Sequence, residues 1–342
     1  MSYTIALNFE DGVTRFIACN AGETVLDAAY RHKINLPMDC SDGVCGTCKC
    51  HCEQGQFNMG EEYLEDALTA DEAAAGKVLT CQMVPSSDCV VAVPAASTLC
   101  KTAPEPFVGT VTAVNAPSDT TLELFIQAEK PVAFLPGQYV SIQVPGSQGM
   151  RAYSFSSRPG SAELSFLIRN VPGGLMSGYL SERARVGDQL TLTGPMGSFY
   201  LRPVQRPVLM LAGGTGLAPF LAMLKLLAEQ GCEQPVHLIY GVTRDIDLVC
   251  VDALAAMAAQ HGWFSYATCV ADADSDHPRK GYVTQHMEGA ALNDGAVDVY
   301  LCGPPPMVDA VTGWFRQQGI QPASFHYEKF AASAAPLQEK IA

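Results

Sequence analysis

Cys40-Ser-Asp-Gly-Val-Cys45-Gly-Thr-Cys48 sets three thiols at a four-then-two spacing, and Cys81, in Leu79-Thr-Cys-Gln82, adds a fourth far downstream. That is the ligand spacing a two-iron, two-sulfur cluster requires. A loop that aims three thiolates inward must turn sharply and offer backbone N–H groups to sulfur, and Gly43 and Gly46 permit both. Cys50 and Cys52 continue the run in Lys49-Cys-His-Cys52 and, with Cys45 and Cys48, offer a rival zinc set. A zinc ribbon wants a second Cys-x-x-Cys pair, and the chain has none. Cys50 and Cys52 alternate along what reads as a strand leaving the loop, so they are expected to be small buried residues, with His51 at the surface. Cys19, Cys89, Cys100, Cys232, Cys250 and Cys269 have no partner spacing and are assigned no chemistry.

Working outward, Tyr3 to Phe9 and Thr14 to Ala18 alternate polar and apolar residues on either side of Glu10-Asp11-Gly12, a hairpin signal. A helix is predicted over Thr24 to Lys33, and a Val-rich strand, Cys89 to Val93, closes a first domain of residues 1–93. Residues 94–106 are small, Pro-rich and aperiodic, as an extended linker would be. Period-two strands then recur over residues 107–203: Gly109 to Val114, Thr121 to Ala128, Tyr139 to Val144, Glu163 to Arg169 and Gln189 to Thr193. They predict an antiparallel β-barrel. Residues 206–330 change to buried strands each followed by a helix: Pro207 to Leu211 then Pro219 to Gln230, Val236 to Tyr240 then Leu248 to Gln260, and Val297 to Leu301 then Met307 to Gln318. That order predicts an α/β doubly wound parallel sheet, which binds its ligand at the carboxyl ends of the strands. Residues 331–342 form a C-terminal extension.

Residues 1–100 carry 14 acidic and 5 basic side chains, the larger part of a net charge of −14. Such a chain lacks the basic footprint for nucleic acid and is repelled by anionic membranes. An acidic first domain suits steering towards a basic patch on a protein partner. The N-terminus has neither the basic nor the apolar region of a signal peptide, and no apolar run reaches the roughly 20 residues of a membrane span. A cytoplasmic protein with reduced cysteines is expected.

The first segment resembles plant-type ferredoxins over nearly its whole length, and the two later segments resemble the ferredoxin-NADP reductase family. Their order, ferredoxin then flavin then nicotinamide, is that of the reductase components of bacterial oxygenases. The resemblance implies a multidomain protein: a β-grasp (α+β) 2Fe-2S domain, a β-barrel FAD domain and a doubly wound NAD domain. It implies electrons passing from NADH through FAD to the cluster on Cys40, Cys45, Cys48 and Cys81. Their destination would be the terminal oxygenase of an aromatic-ring dioxygenase of the benzoate type, or a toluate, phenol or methane oxygenase. A redox sensor or scaffold with a vestigial flavin site is the reading from another class. Hydride carries two electrons and the cluster takes one, so a carrier that can store the second is needed, and flavin is one.

Arg151-Ala-Tyr-Ser154 matches the flavin signature of that family. An Arg fork suits a pyrophosphate, the Tyr153 ring suits an isoalloxazine face, and the Ser154 hydroxyl suits flavin N5. Ile168-Arg-Asn-Val-Pro-Gly-Gly174-Leu-Met-Ser177 runs from a strand through glycines into a helix, so Gly174 to Ser177 would offer N–H groups to phosphate. Val208-Leu-Met-Leu-Ala-Gly213-Gly214-Thr215-Gly216-Leu-Ala-Pro219 is a strand, glycine turn and helix suited to a dinucleotide, with Pro219 where a third glycine stands in the commoner fingerprint. By the resemblance, Cys302 and Gly303, in Cys302-Gly-Pro-Pro-Pro-Met307, lie beside the nicotinamide where hydride leaves. Glu328 and Phe330 resemble the family's acidic and aromatic closing residues, and Ser154, Cys302 and Glu328 are the expected catalytic set. A 2′-phosphate needs cations after the strand through Tyr266 to Val270, where the chain instead reads Val270-Ala-Asp272-Ala-Asp274-Ser-Asp276. NADH is therefore expected over NADPH, with Arg244 as the opposing signal.

Overall fold

The computed structural model describes residues 2–38, 43, 46–60, 63–65, 67–100, 105–287 and 289–330. The chain divides into two compact units, residues 1–106 with 194–198 and residues 107–193 with 199–342.

In the first unit β1 (Ser2–Phe9) and β2 (Thr14–Asn20) form the expected hairpin, with Ile5 opposite Ile17. Next comes α1 (Val25–Arg31), which starts where the Thr24 hydroxyl accepts the Asp27 N–H at 3.1 Å. The remaining elements are β3 (Lys49–Gln54), β4 (Phe57–Asn58), α2 (Ala70–Ala74), β5 (Lys77–Leu79), β6 (Val84–Pro85) and β7 (Cys89–Val93). The main sheet has the order β2-β1-β7-β3-β5, its centre the parallel pair β1 and β7, while β4 and β6 pair separately. Val25, Leu26, Ala28 and Ala29 of α1 share one core with Ile5, Leu7, Val91 and Val93.

The expected linker corrects at its start. Ala95 and Cys100 belong to this core, and Ser97 gives both its N–H and its hydroxyl to Asp11 Oδ2, at 2.9 and 2.8 Å. Small, Pro-rich composition describes a free linker and a pinned tail equally well. The distinction lay in Asp11, which periodicity did not single out. Residues 101–104 lie outside the described residues.

In the second unit β8 (Glu105–Ser118), β9 (Thr121–Ala128), β10 (Tyr139–Gln143), β11 (Met150–Ser154), β12 (Glu163–Arg169) and β13 (Gln189–Met196) form a sheet ordered β11-β10-β13-β8-β9-β12. A bridge from Phe155 to Phe166 ties its two ends, closing the barrel. Closure leaves no free edge and buries one face of every strand. Leu124, Ile126, Val140, Ile142, Phe155, Phe166 and Ile168 fill that interior. After β12 comes the short α3 (Leu175–Gly178), continued by a π-helical turn over Tyr179–Arg183.

The same unit holds the parallel sheet β16-β15-β14-β17-β18, made of β14 (Val208–Gly213), β15 (Val236–Val242), β16 (Phe264–Val270), β17 (Asp298–Gly303) and β18 (Ser324–Lys329). Its helices are α4 (Ala218–Gln230), α5 (Val251–Gln260), the short α6 (Gly289–Leu292) and α7 (Pro305–Gln318). The helix expected from Leu248 begins at Val251 because Cys250 has φ +59°, a left-handed conformation that a helix cannot include. α4 is apolar nearly all round, as a helix buried on several sides must be. Most of its buried residues join the parallel-sheet core while Ala222 joins the barrel core, so α4 lies between the two. No described helix is long and apolar enough to cross a membrane.

Candidate active site

The antiparallel register of β3 and β5, Lys49 opposite Leu79, draws Cys48 and Cys81 together. Their sulfurs stand 3.2 Å apart, in residues 2% and 6% exposed. The Thr80 N–H and hydroxyl donate to Cys48 O at 3.1 and 3.3 Å, tying the two cysteine-bearing segments to each other. Gly43 (φ +80°) and Gly46 (φ +75°) both adopt the left-handed turn conformation expected of them. Two buried soft donors at this separation fit an iron–sulfur ligand set. Cys40 and Cys45 lie outside the described residues. Cys50 is buried, and that burial pushes its thiol far above the ordinary range, as suits a core residue. Cys52 is half-buried and donates to Gln54 O at 3.3 Å.

On β11 the side chains of Arg151 and Tyr153 share one face and are half-buried, and burial raises the Tyr153 phenol. The Arg151 guanidinium lies near α3: a Cβ at Gly149 would meet Arg151 Nη1 at 3.6 Å and Leu175 Cδ1 at 3.2 Å. The two stretches chosen for the flavin thus converge. The first N–H of the stretch from Gly174 to Ser177 and the Ser177 hydroxyl are already engaged. Gly174 gives its N–H to Val171 O at 2.9 Å, and the Ser177 hydroxyl is engaged by Arg169 O at 3.2 Å and by the Val171 N–H at 2.9 Å. Both residues build the turn, because a chain leaving a strand must satisfy its own backbone before it can serve a ligand.

Ser154 ends β11, and its buried hydroxyl donates to Glu328 Oε2 at 3.1 Å. The parallel register of β17 and β18 sets Cys302 opposite Glu328, and Cys302 Sγ lies 3.8 Å from the same oxygen. All three are buried, at 3%, 0% and 7% exposure, so the expected catalytic set assembles from three distant segments in a site shielded from water.

The glycine turn packs backbone against backbone on the loop after β17. A Cβ at Gly213 would lie 2.4 Å from Met307 Sδ, one at Gly216 2.3 Å from Cys302 O, and one at Gly303 2.7 Å from Met307 Sδ. Gly214, at φ +55°, has open space where its Cβ would be, so this face of the turn can receive a dinucleotide. Thr215 follows in the 3₁₀ turn Gly214–Leu217 that leads into α4. Phe330 donates its N–H to Gly303 O at 2.9 Å and packs, half-buried, against the core of the parallel sheet.

Sequence reasoning missed the surroundings of Arg244. Its Nη1 and Nη2 donate to Asp119 at 3.1 and 2.5 Å, and its Nε and Nη2 to Asp247 at 3.1 and 2.9 Å. Thr120 Oγ1 donates to Asp247 Oδ1 as well. Asp119 and Thr120 sit in the turn between β8 and β9 of the barrel, far from Arg244 in sequence. Ser118-Asp-Thr-Thr121 reads only as a hairpin turn, with no signal of this role. Lys225 of α4 likewise reaches Ser156 O at 2.7 Å, just past the flavin signature.

Residues 8–86 match the 2Fe-2S iron-sulfur cluster binding domain, residues 113–200 the oxidoreductase FAD-binding domain, and residues 210–313 the oxidoreductase NAD-binding domain. The chain is 60% identical to a toluate 1,2-dioxygenase electron transfer component of Pseudomonas putida, over 98% of this chain and 100% of that one. It is 50% identical to a 2-halobenzoate 1,2-dioxygenase electron transfer component of Burkholderia cepacia, over 97% of this chain and 98% of that one. Among solved structures, an Amycolatopsis cytochrome P450 reductase superposes with a TM-score of 0.74 at 30% identity, covering 97% of this chain and 100% of that one.

Proposed function

We propose, from the premise that this chain belongs to the family of electron transfer components of aromatic-ring dioxygenases, that it draws electrons from NADH and passes them singly to a benzoate-type 1,2-dioxygenase. The chain is an NAD-dependent flavin iron–sulfur oxidoreductase whose groups are FAD and a 2Fe-2S cluster. When bound, FAD would supply the exchange between two-electron hydride chemistry and the single-electron chemistry of the cluster. The observation that carries the reading is the convergence of Ser154, Cys302 and Glu328, at the end of the flavin signature on one side and beside the glycine turn on the other.

Within that site the chain's own groups divide the work. Cys302, held by the Gly216 contact, fixes the place of the nicotinamide. Ser154 Oγ holds a proton towards Glu328 Oε2, giving protons a buried route in and out. Arg151 and Tyr153 would hold the flavin pyrophosphate and ring, and Phe330 would close over that site. Cys40, Cys45, Cys48 and Cys81 hold the cluster. The cluster domain, with residues 94–100 packed onto it, precedes a flavin domain over 107–203 and a nicotinamide domain over 206–330, and the acidic first domain presents the exit to the oxygenase in the cytoplasm.

The toluate and 2-halobenzoate relatives, at 60% and 50% identity, are named for ring carboxylates. The sequence also resembles the reductase components of benzoate 1,2-dioxygenases. Benzoate or a ring-substituted benzoate is therefore the substrate class assigned to the partner. The test is reconstitution of the purified reductase with purified benzoate, toluate and phenol oxygenases. Coupled NADH use and ring hydroxylation with a benzoate-type enzyme supports the reading, and coupling only to the phenol enzyme contradicts it.

A further inference from the structure

We infer that the Asp119–Arg244–Asp247 clamp bears on the choice of nicotinamide, by holding captive a cation placed where it could otherwise receive a 2′-phosphate. The inference rests on the proposed preference for NADH and assigns its cause.

Arg244 follows β15, the second strand of the parallel sheet, at its carboxyl end. In a doubly wound sheet that is where the adenosine ribose is read, an acid favouring the free hydroxyl and an arginine the phosphate. The adjoining loop is built onto the same edge: the Ala271 and Asp272 N–H groups donate to Val242 O and Thr243 O, both at 2.9 Å, and Ser275 Oγ to Asp245 Oδ1 at 2.8 Å. Asp245 and Asp247 follow Arg244 closely, and the adjoining loop carries Asp272, Asp274 and Asp276 together with Arg279 and Lys280, the last donating its Nζ to Ala273 O at 3.1 Å.

Position alone would make Arg244 a phosphate receptor. Its hydrogen bonds say otherwise. Both carboxylates grip the guanidinium in two-point fashion, four of its five N–H bonds being given to Asp119 and Asp247. Two carboxylates hold one cation, so the group carries a net negative charge. Asp247 is fixed in turn by the Thr120 hydroxyl and by the Arg244 backbone N–H at 3.2 Å. Its carboxyl lies below the usual range, held there by Arg244 and Thr120 against the opposing effect of burial. A 2′-phosphate would have to displace charge-assisted bonds already made, whereas a ribose hydroxyl needs no cation and can donate to an acid. Asp119 comes from the barrel, so the selectivity of the nicotinamide domain depends on a residue of its neighbour.

The experiment measures binding of 2′,5′-ADP and of AMP, which differ only in the phosphate at issue, by calorimetry on the flavin- and cluster-loaded protein. Steady-state kcat/KM for NADPH and NADH accompanies it. In the parent protein AMP should bind better than 2′,5′-ADP; the reverse order would overturn the NADH reading itself. The D119N/D247N variant frees Arg244 and removes two charges, and the 2′,5′-ADP to AMP affinity ratio should rise about 10-fold or more. Adding R244Q to that variant should abolish the gain. D119N alone, whose carboxylate is the more exposed of the two, should move the ratio in the same direction by roughly three-fold, and serves if the double variant does not fold. A parent that prefers AMP, with a ratio unmoved in both variants, would show the clamp to be only a structural tie and would overturn the inference.

Discussion

Gly216→Ala tests the packing that places Cys302. The added Cβ would stand 2.3 Å from Cys302 O and 2.7 Å from Cys302 C, both backbone atoms, so no side chain can swing aside. Restoring ordinary van der Waals separation demands a shift of roughly 1 Å between the glycine turn and the loop after β17, an overpacking that costs about 1–3 kcal/mol. The shift falls on the residue beside Glu328 Oε2, and a misplacement of about 1 Å can slow a reaction by roughly 100-fold. The expected outcome is therefore a lower melting temperature and an anaerobic flavin reduction by NADH about 100-fold slower, with flavin and iron content unchanged. Two further alanines calibrate it. Gly214→Ala meets open space but sits at φ +55°, so it should cost about 1–2 kcal/mol from conformation and weaken NADH binding. Gly313→Ala, inside α7 with open space at its Cβ, should stabilise by up to about 1 kcal/mol and leave reduction unchanged. Flavin reduction at the parental rate in Gly216→Ala would refute the claim that this contact positions Cys302.

Other outcomes follow from the same geometry. Ser154→Ala deletes the hydroxyl given to Glu328 and should slow flavin reduction by about 10- to 100-fold with little change in stability, read by stopped flow. Cys50→Ala should keep the full iron and sulfide content, whereas Cys81→Ser should lose it, as measured by iron assay. Burial first, and then Arg202, lower His326 to about 4, so the folded state resists protonation that the unfolded state accepts. Stability from this group is full above the ordinary imidazole range near 6.5 and is lost as pH falls towards 4. His326→Phe should flatten that part of a urea-midpoint profile, and an unchanged slope would remove His326 as its source.

The sequence patterns that succeeded were local ones. Period-two strands and the strand–helix alternation after residue 206 each depend on residues close in the chain, and those elements lie within a few residues of where their period placed them. The meeting of Ser154, Cys302 and Glu328 was anticipated through resemblance rather than periodicity. Its physical cause, the register that sets Cys302 opposite Glu328, is a tertiary fact. The Asp119 clamp was invisible for the same reason: a carboxylate in a hairpin turn has no pattern until the chain brings Arg244 to it. Gly216 was noticed as a nucleotide glycine, yet its closest constraint is the protein's own Cys302 carbonyl.

The direction of electron flow is the centre of the account, and rapid anaerobic mixing of the fully loaded protein with NADH reads it directly. Flavin absorbance should fall first and cluster absorbance second, and the Cys81→Ser protein should bleach its flavin yet fail to drive the oxygenase. Bleaching of the cluster before the flavin, or full oxygenase turnover from the cluster-free variant, would contradict it.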